Sequence, residues 1–173
     1  MKQVLITLVA LLCLLLPQSR AQDYQTALGM RIGPYYGLTF KHFLAETSAL
    51  ELILITRSRG AGFTGLYEIH RPLLDVSGLR AYGGIGGHVN VFRYRPKNDS
   101  PWNWDNDQEG DGLVLGDAYR MQIGMDMLLG VEYKIEDFPF NLSLDWKPAL
   151  NLIGDQGLSA DQVAISIRFV FEE

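Results

Sequence analysis

Cysteine is nearly absent from this chain of 173 residues, and the one cysteine, Cys13, lies in an apolar stretch near the N-terminus. A framework of disulfide bonds is therefore excluded, and the chain must gain its stability in another way. A long hydrophobic run is also missing after residue 21, where no segment approaches the roughly 20 apolar residues that a membrane-spanning helix needs. Any insertion into a bilayer would have to use strands that satisfy one another's backbone hydrogen bonds.

The first 21 residues have the parts of a secretory signal peptide. Lys2 supplies the positive charge, Val4–Leu16 is an apolar run interrupted by Thr7 alone, and small residues lead up to a cleavage site after Ala21. A lipoprotein anchor at Cys13 is the alternative, but the residue before this cysteine is large where a small one is expected. We predict a cleaved signal peptide over residues 1–21.

Basic residues are in the minority. Removing Lys2 and Arg20 from the 15 basic residues leaves 13 against 20 acidic residues, which gives the mature chain a net charge of −7. This balance argues against nucleic acid as a partner. The remaining residues, 22–173, have the size of one domain.

Tyr119–Lys134 carries the clearest structural signal. Its odd positions are all apolar, with a tyrosine at each end, and its even positions are mostly small or charged. A period of two predicts a strand, because successive side chains leave opposite faces of the pleat. Strands of soluble proteins usually have about 5–6 residues, whereas a strand crossing a bilayer needs about 9–11. The length favours a membrane strand, with a long strand of a soluble sandwich as the alternative.

The same alternation recurs and predicts eight strands: Thr26–Gly33, Gly37–Phe43, Ala49–Arg57, Phe63–Arg71, Leu79–Arg95, Tyr119–Lys134, Phe138–Leu152 and Gln162–Phe171. An even count, with short turns alternating with longer loops, is typical of bacterial outer-membrane barrels whose termini lie in the periplasm. Glycines at 83, 84, 86 and 87 indicate bending or close backbone approach. Arg59–Gly62 predicts a turn, and Pro148 predicts an irregularity in the seventh strand.

One face of these strands is apolar and the other carries charges of both signs. A soluble barrel would place the apolar face inside, whereas a membrane barrel places it against lipid. The signal peptide, the strand lengths and the mixture of opposite charges favour the second arrangement. We predict an all-β, eight-stranded antiparallel transmembrane β-barrel, an up-and-down meander. Its lumen would be filled by paired charges rather than forming an open pore: Arg31, Lys41, Glu51, Glu68, Arg80, Asp126, Glu132, Asp145, Lys147 and Arg168.

An acidic segment within residues 98–117 resembles the first half of an EF-hand calcium loop. Acidic side chains stand at loop positions one, three and five, and glycine stands at position six, but position twelve is Gly116 instead of glutamate. A solvated acidic loop is the favoured interpretation, and binding of calcium or a small ligand stays an alternative. The candidate ligands are Asp105, Asp107, Glu109 and Asp111.

A lipid A-modifying enzyme is a third possibility, because small outer-membrane barrels can host deacylases or acyltransferases. Such enzymes need histidine with serine and a carboxylate in hydrogen-bond reach. His70 and His88 fall on the inward face, with Glu68, Ser143, Asp145 and Ser166 on other strands. No local motif joins them, and an inward site would lack access from lipid. We predict no enzymatic activity and no cofactor.

Six segments resemble the small outer-membrane β-barrel family that is widespread in Bacteroidota: ALGMRIG (27–33), YGLTFKHFL (36–44), LYEIH (66–70), YGGIGGHV (82–89), LLGVEYKI (128–135) and PFNLSLDWKPALNLI (139–153). The resemblance implies a compact barrel of mostly unassigned role. We expect a monomer whose partners are outer-membrane lipid, lipopolysaccharide and, during assembly, the barrel-insertion machinery. Members normally end close to a phenylalanine in the last strand, whereas here Phe171 is followed by two glutamates.

Overall fold

The computed structural model describes residues 24–57, 60–74, 76–93, 113–115, 119–135, 137–154, 156–160 and 162–171. The described residues form eleven strands: β1 (Thr26–Ile32), β2 (Tyr36–Ala45), β3 (Ser48–Arg57), β4 (Gly60–Pro72), β5 (Leu79–Arg93), β6 (Leu113–Leu115), β7 (Tyr119–Lys134), β8 (Phe140–Trp146), β9 (Ala149–Ile153), β10 (Gly157–Ser159) and β11 (Val163–Phe171). The predicted signal peptide lies outside the described residues. Among the described residues, no helix is long and apolar enough to cross a bilayer.

The strands close into a barrel with eight positions. Neighbours pair in chain order from β1 to β5 and then to β7; β8 and β9 share the seventh position, and β11 pairs with both β8 and β1. Every pairing is antiparallel. The short strands β6 and β10 add to β7 and β9 at one end. The predicted eight-stranded antiparallel meander is confirmed.

Proline divides the seventh position, as predicted. β8 ends at Trp146 and β9 begins at Ala149, because Pro148 has no N–H to give to the ladder. Its carbonyl oxygen still accepts a hydrogen bond from the amide of Met127 at 2.9 Å. The two strands therefore continue along β7 as one crossing.

The turn predicted at Arg59–Gly62 is wrong in its position. β4 already begins at Gly60, which pairs with Phe92. A Cβ atom at Gly60 would lie 2.3 Å from the carbonyl oxygen of Val91. Gly60 therefore allows two backbones to approach closely inside the ladder instead of only marking its end.

Outward side chains are apolar and exposed, and inward side chains are largely polar and buried. Leu52, Ile85 and Met127 stand on the outer face with 41%, 65% and 57% of their surface exposed. On the inner face, Lys41 and Arg168 are fully buried. This distribution is the reverse of that in a soluble protein, where charged residues are almost never fully buried.

The interior is layered along the barrel axis. We call the end at which Thr26 pairs with Phe171 the terminal end, and the opposite end, which carries the β5–β7 and β9–β11 connections, the loop end. Near the terminal end lies a terminal-end core formed by Tyr24, Ala27, Phe43, Ala49 and Val170. Further along lies a central apolar layer formed by Ile53, Leu66, Tyr82 and Leu128. Charged side chains fill the space around these layers.

We predict that Gly86→Ala destabilises the barrel. A Cβ atom at Gly86 would lie 1.9 Å from the carbonyl oxygen of Gly65 on β4, so β4 and β5 would have to separate. We expect the free energy of unfolding to fall by about 1–3 kcal/mol, measured by urea titration in lipid vesicles. Gly83→Ala in the same strand is the control, because its Cβ would meet Leu129 at an ordinary 3.4 Å. Equal losses from both substitutions would contradict the close approach at Gly86.

Candidate functional site

All ten charged residues predicted for the lumen lie inside the barrel and are buried: Arg31, Lys41, Glu51, Glu68, Arg80, Asp126, Glu132, Asp145, Lys147 and Arg168. Alternation places nine of them there, because each occupies the inward parity of its strand. Lys147 continues the inward parity of β8 just beyond its end. Nine of the ten separate into three groups, one near the terminal end, one beside the central apolar layer and one toward the loop end. The guanidinium of the tenth, Arg80, lies 5.5 Å from the ring centroid of Phe43 in the terminal-end core.

The terminal-end group is centred on the ammonium of Lys41. Its Nζ lies 2.8 Å from Glu68 Oε2, 3.3 Å from Glu132 Oε2 and 3.6 Å from Glu51 Oε2. These carboxylates come from β4, β7 and β3. The same Nζ lies 4.2 Å from the ring centroid of Tyr82, a distance at which the ring face attracts a cation.

Arg168 joins this group from β11. Its guanidinium contacts Glu51 at 2.5 Å and donates to Ser143 Oγ at 2.8 Å. It also donates to Thr39 Oγ1 at 3.2 Å and to Asn141 Oδ1 at 3.4 Å. The Arg168 side chain therefore links β11 to β2, β3 and β8. Of these three strands, β8 is also hydrogen-bonded to β11 through the backbone.

His70 fills the space between two carboxylates of the group. Its Nε2 lies 2.9 Å from Glu68 Oε2, and its Nδ1 lies 3.2 Å from Glu132 Oε1. The ring stacks on Tyr82 with an interplanar angle of 14° and touches Phe43, with centroids 4.8 Å apart. Aromatic packing thus connects the charges to the terminal-end core.

Tyr24 helps to close the terminal end of the interior, although it precedes the first strand. Its hydroxyl lies 3.3 Å from both carboxylate oxygens of Glu132, and its ring meets Phe43 edge to face. Burial raises the pKa of the Tyr24 hydroxyl, and the nearby Glu132 carboxylate raises it further. The hydroxyl therefore stays protonated and donates. Strand periodicity could not predict this contact, because Tyr24 lies outside the alternating segments.

The middle group pairs Arg31 with Asp145. The guanidinium holds both carboxylate oxygens, with Nη1 at 2.7 Å from Oδ2, a bidentate geometry that is among the stronger ion pairs. Tyr82 donates to the same carboxylate at 3.1 Å. Gly130 makes this possible, since a Cβ there would lie 2.6 Å from Tyr82 Cζ.

The loop-end group consists of Asp126, Lys147 and His88. Lys147 Nζ donates to Asp126 Oδ1 at 2.6 Å, and His88 Nδ1 lies 2.9 Å from Asp126 Oδ2. His88 Nε2 faces Asn151 Oδ1 at 3.1 Å. Gly124 leaves the space for the imidazole, because a Cβ there would lie 2.5 Å from His88 Cε1.

A cavity of about 340 Å³ lies above this group and is named here the loop-end cavity. Its buried floor includes Thr64, His88, Gln122 and Lys147. The remainder of its lining consists of Tyr35, Ile55, Asn90, Asn151, Gln156, Gly157, Leu158, Ser159 and Gln162. Alternation indicated the polar floor but could not predict the cavity, whose wall also uses residues of the β9–β11 connection.

The predicted calcium ligands Asp105, Asp107, Glu109 and Asp111 lie outside the described residues. Within the part of the chain that the structure describes, no group of three or more His, Cys, Asp or Glu side chains is arranged to hold a metal ion.

The residues considered for catalysis are not assembled as a triad. Ser143 accepts a hydrogen bond from Arg168, and Asp145 is held by Arg31. His70 lies between two glutamates. His88 does lie beside an aspartate, but its other nitrogen faces the amide of Asn151 instead of a hydroxyl nucleophile.

We predict that Lys41→Met strongly destabilises the barrel, because three buried carboxylates would lose their shared cation. Removing one partner of a buried ion pair costs about 3–5 kcal/mol, and urea unfolding in vesicles would measure the loss. Lys134→Met, at the half-exposed end of β7, is the control, with an expected loss under about 1 kcal/mol.

Adding Glu68→Gln to Lys41→Met should recover part of this stability, since Glu68 makes the shortest contact with Lys41. A double variant no more stable than Lys41→Met alone would show that the loss does not arise from uncompensated charge.

The barrel resembles a solved β-barrel domain. It matches the crystal structure of the N-terminal β-barrel domain of Pseudomonas aeruginosa OprF with a TM-score of 0.60, covering 86% of this chain and 100% of that domain. The sequence identity is 14%, so the similarity shows a shared fold alone. No protein-family model and no curated protein matches the chain. The chain therefore has the fold of a small outer-membrane β-barrel.

Proposed function

We propose that this protein is a small integral outer-membrane β-barrel of a diderm bacterium, exported with a cleaved signal peptide over residues 1–21. In this proposal it is a monomer with a structural or surface-interaction role, a filled lumen and no enzymatic activity. It would belong to the small barrel family of Bacteroidota that its sequence resembles. The termini would face the periplasm and the loop end would face the cell exterior, where lipopolysaccharide is the natural contact.

The apolar outer face carries the proposal. Large hydrophobic side chains stand exposed on every crossing of the barrel, whereas ten acidic and basic side chains are buried inside it. Soluble monomers rarely expose a contiguous apolar patch larger than a few hundred Å². A closed barrel with this surface suits the hydrocarbon of a bilayer, because each of its eight crossings is hydrogen-bonded to a neighbour on both sides.

Aromatic residues at both edges of the apolar face support the same location. Tyr36 and Trp146 stand exposed toward the loop end, and Tyr133, Phe138 and Phe171 stand exposed toward the terminal end. Aromatic girdles at the two lipid–water interfaces are characteristic of outer-membrane barrels. Between them, the outer face is mainly aliphatic and methionine-rich.

The layered interior supports a closed lumen. Lys41, Glu51 and Glu68 are fully buried together with the neighbouring terminal-end core. The central apolar layer packs beyond them. A solute crossing the barrel would have to break the Lys41 contacts and displace both apolar layers. This interior fits a barrel with a structural or surface-interaction role better than it fits a general diffusion pore.

We predict that Leu52→Arg destabilises the folded protein in lipid vesicles. Leu52 lies midway along β3 and points outward. An arginine at the bilayer midplane of a barrel costs about 2–4 kcal/mol, against about 0–1 near the interfaces. Tyr36→Arg, at the exposed loop-end edge, is the matched control. Urea titrations of both variants would measure the difference.

A second experiment would fractionate cells that express the wild-type protein. The protein is expected in the outer-membrane fraction, with a compact form on unboiled gels that shifts on boiling. Recovery in the periplasm without a shift, or a harmless Leu52→Arg, would overturn the membrane assignment, because exposed substitutions in soluble proteins usually change stability by less than about 0.5 kcal/mol.

We also predict that proteoliposomes containing the protein do not swell in arabinose faster than protein-free vesicles. The buried Lys41 contacts and the two apolar layers close the passage. An open porin reconstituted in parallel provides the positive control. Swelling that increases with the amount of this protein would show a pore instead of a filled lumen.

A further inference from the structure

We propose that the loop-end cavity binds a small hydroxylated carboxylate of the size of one sugar acid. This assigns a binding site beyond the structural role proposed above. It depends only on described residues and on the folded barrel.

The loop-end cavity is closed at its inner end. Ile55 lines it and also packs against the central apolar layer, so the cavity floor lies directly on that layer. Ile53 and Leu128 within the layer are fully buried. A solute entering from the loop end therefore stops above the layer. Such a geometry suits retention of a ligand rather than its passage.

A cationic side chain, Lys147, lines the cavity. Lys147 and His88 line it, whereas Asp126, to which both are bonded, does not. Among the described lining residues there is no acidic side chain. Lys147 directs one of its three N–H bonds to Asp126 and has two more for a ligand. A carboxylate at this position would gain a charge-assisted hydrogen bond.

The rest of the wall suits hydroxyl groups. Eight uncharged lining side chains carry amides or hydroxyls: Tyr35, Thr64, Asn90, Gln122, Asn151, Gln156, Ser159 and Gln162. An amide offers both donors and an acceptor, as a sugar hydroxyl also requires. A volume of about 340 Å³ is near the lower end of the usual range of about 300–1,000 Å³ for ligand pockets. The ligand is therefore one ring in size.

Part of the wall is already fixed before a ligand arrives. Asn90 donates to Gln122 at 3.2 Å, and His88 faces Asn151 at 3.1 Å. Gly62 leaves the space that the Asn90 side chain occupies, because a Cβ there would lie 2.1 Å from Asn90 Oδ1. Side chains held in this way lose less conformational entropy on binding, and this favours affinity.

The test is isothermal titration calorimetry of the full-length mature chain, folded in detergent micelles. The probes are glucuronate, glucose, which lacks the carboxylate, and acetate, which lacks the hydroxyls. We expect glucuronate to bind at least tenfold more tightly than either. A trisaccharide ending in glucuronate, titrated in parallel, separates two sources of the same chemistry. Binding of the trisaccharide points to the exposed end of a surface glycan, and binding of the monosaccharide alone points to a free solute.

Two variants test the position of the site. Lys147→Gln should weaken glucuronate binding at least tenfold and remove most of the preference for glucuronate over glucose. Gln156→Trp, at an exposed rim position, should block the cavity without disturbing the buried network. Lys134→Gln, at the terminal end, is the control that removes a lysine elsewhere.

Absence of glucuronate binding, or binding that survives Gln156→Trp, would overturn the proposal. Where Lys147→Gln does not fold, Gln156→Trp alone decides.

Discussion

The buried ammonium of Lys41 constrains the barrel more than any other group. It is shared by carboxylates from β3, β4 and β7, and an uncompensated charge in this interior would be very costly. A slip of one residue in any of these strands would turn its charge toward the outer face and its apolar residues inward. The ion cluster therefore fixes the register of four strands together, with Arg168 extending the constraint to β11.

The same constraint explains where glycine is needed. An eight-stranded barrel has an interior just wide enough for its own side chains, and here many of those side chains are long. Tyr82 and His88 occupy space that opens because Gly130 and Gly124 have no side chains. Large inward residues and nearby glycines are thus two halves of one packing solution. The sequence of one strand alone does not reveal this packing, because the large side chain and the glycine belong to different strands.

Alternation predicted the face of each residue better than its partners. The bounds of β7 agree with the predicted Tyr119–Lys134, because a period of two is unambiguous over so long a segment. The pairing of Arg31 with Asp145 was not predictable, since it depends on strand tilt and stagger, which set the height of each residue along the axis. The contacts of Tyr24 and of the β9–β11 connection could not be predicted for another reason, because these residues lie outside the alternating segments.

The two ends of the interior differ in what their polar groups contact, and this difference separates stability from recognition. Near the terminal end, Glu132 is contacted by Lys41, His70 and Tyr24. Aromatic rings close the space around these groups, so a ligand could not reach them. Toward the loop end, the Asp126 carboxylate holds Lys147 and His88. The second ring nitrogen of His88 faces Asn151, whereas the ammonium of Lys147 also lines the loop-end cavity. Residues whose charges are paired on one side and open on the other are the ones that a ligand can use. Function in this fold is therefore expected where the tight packing of the interior stops.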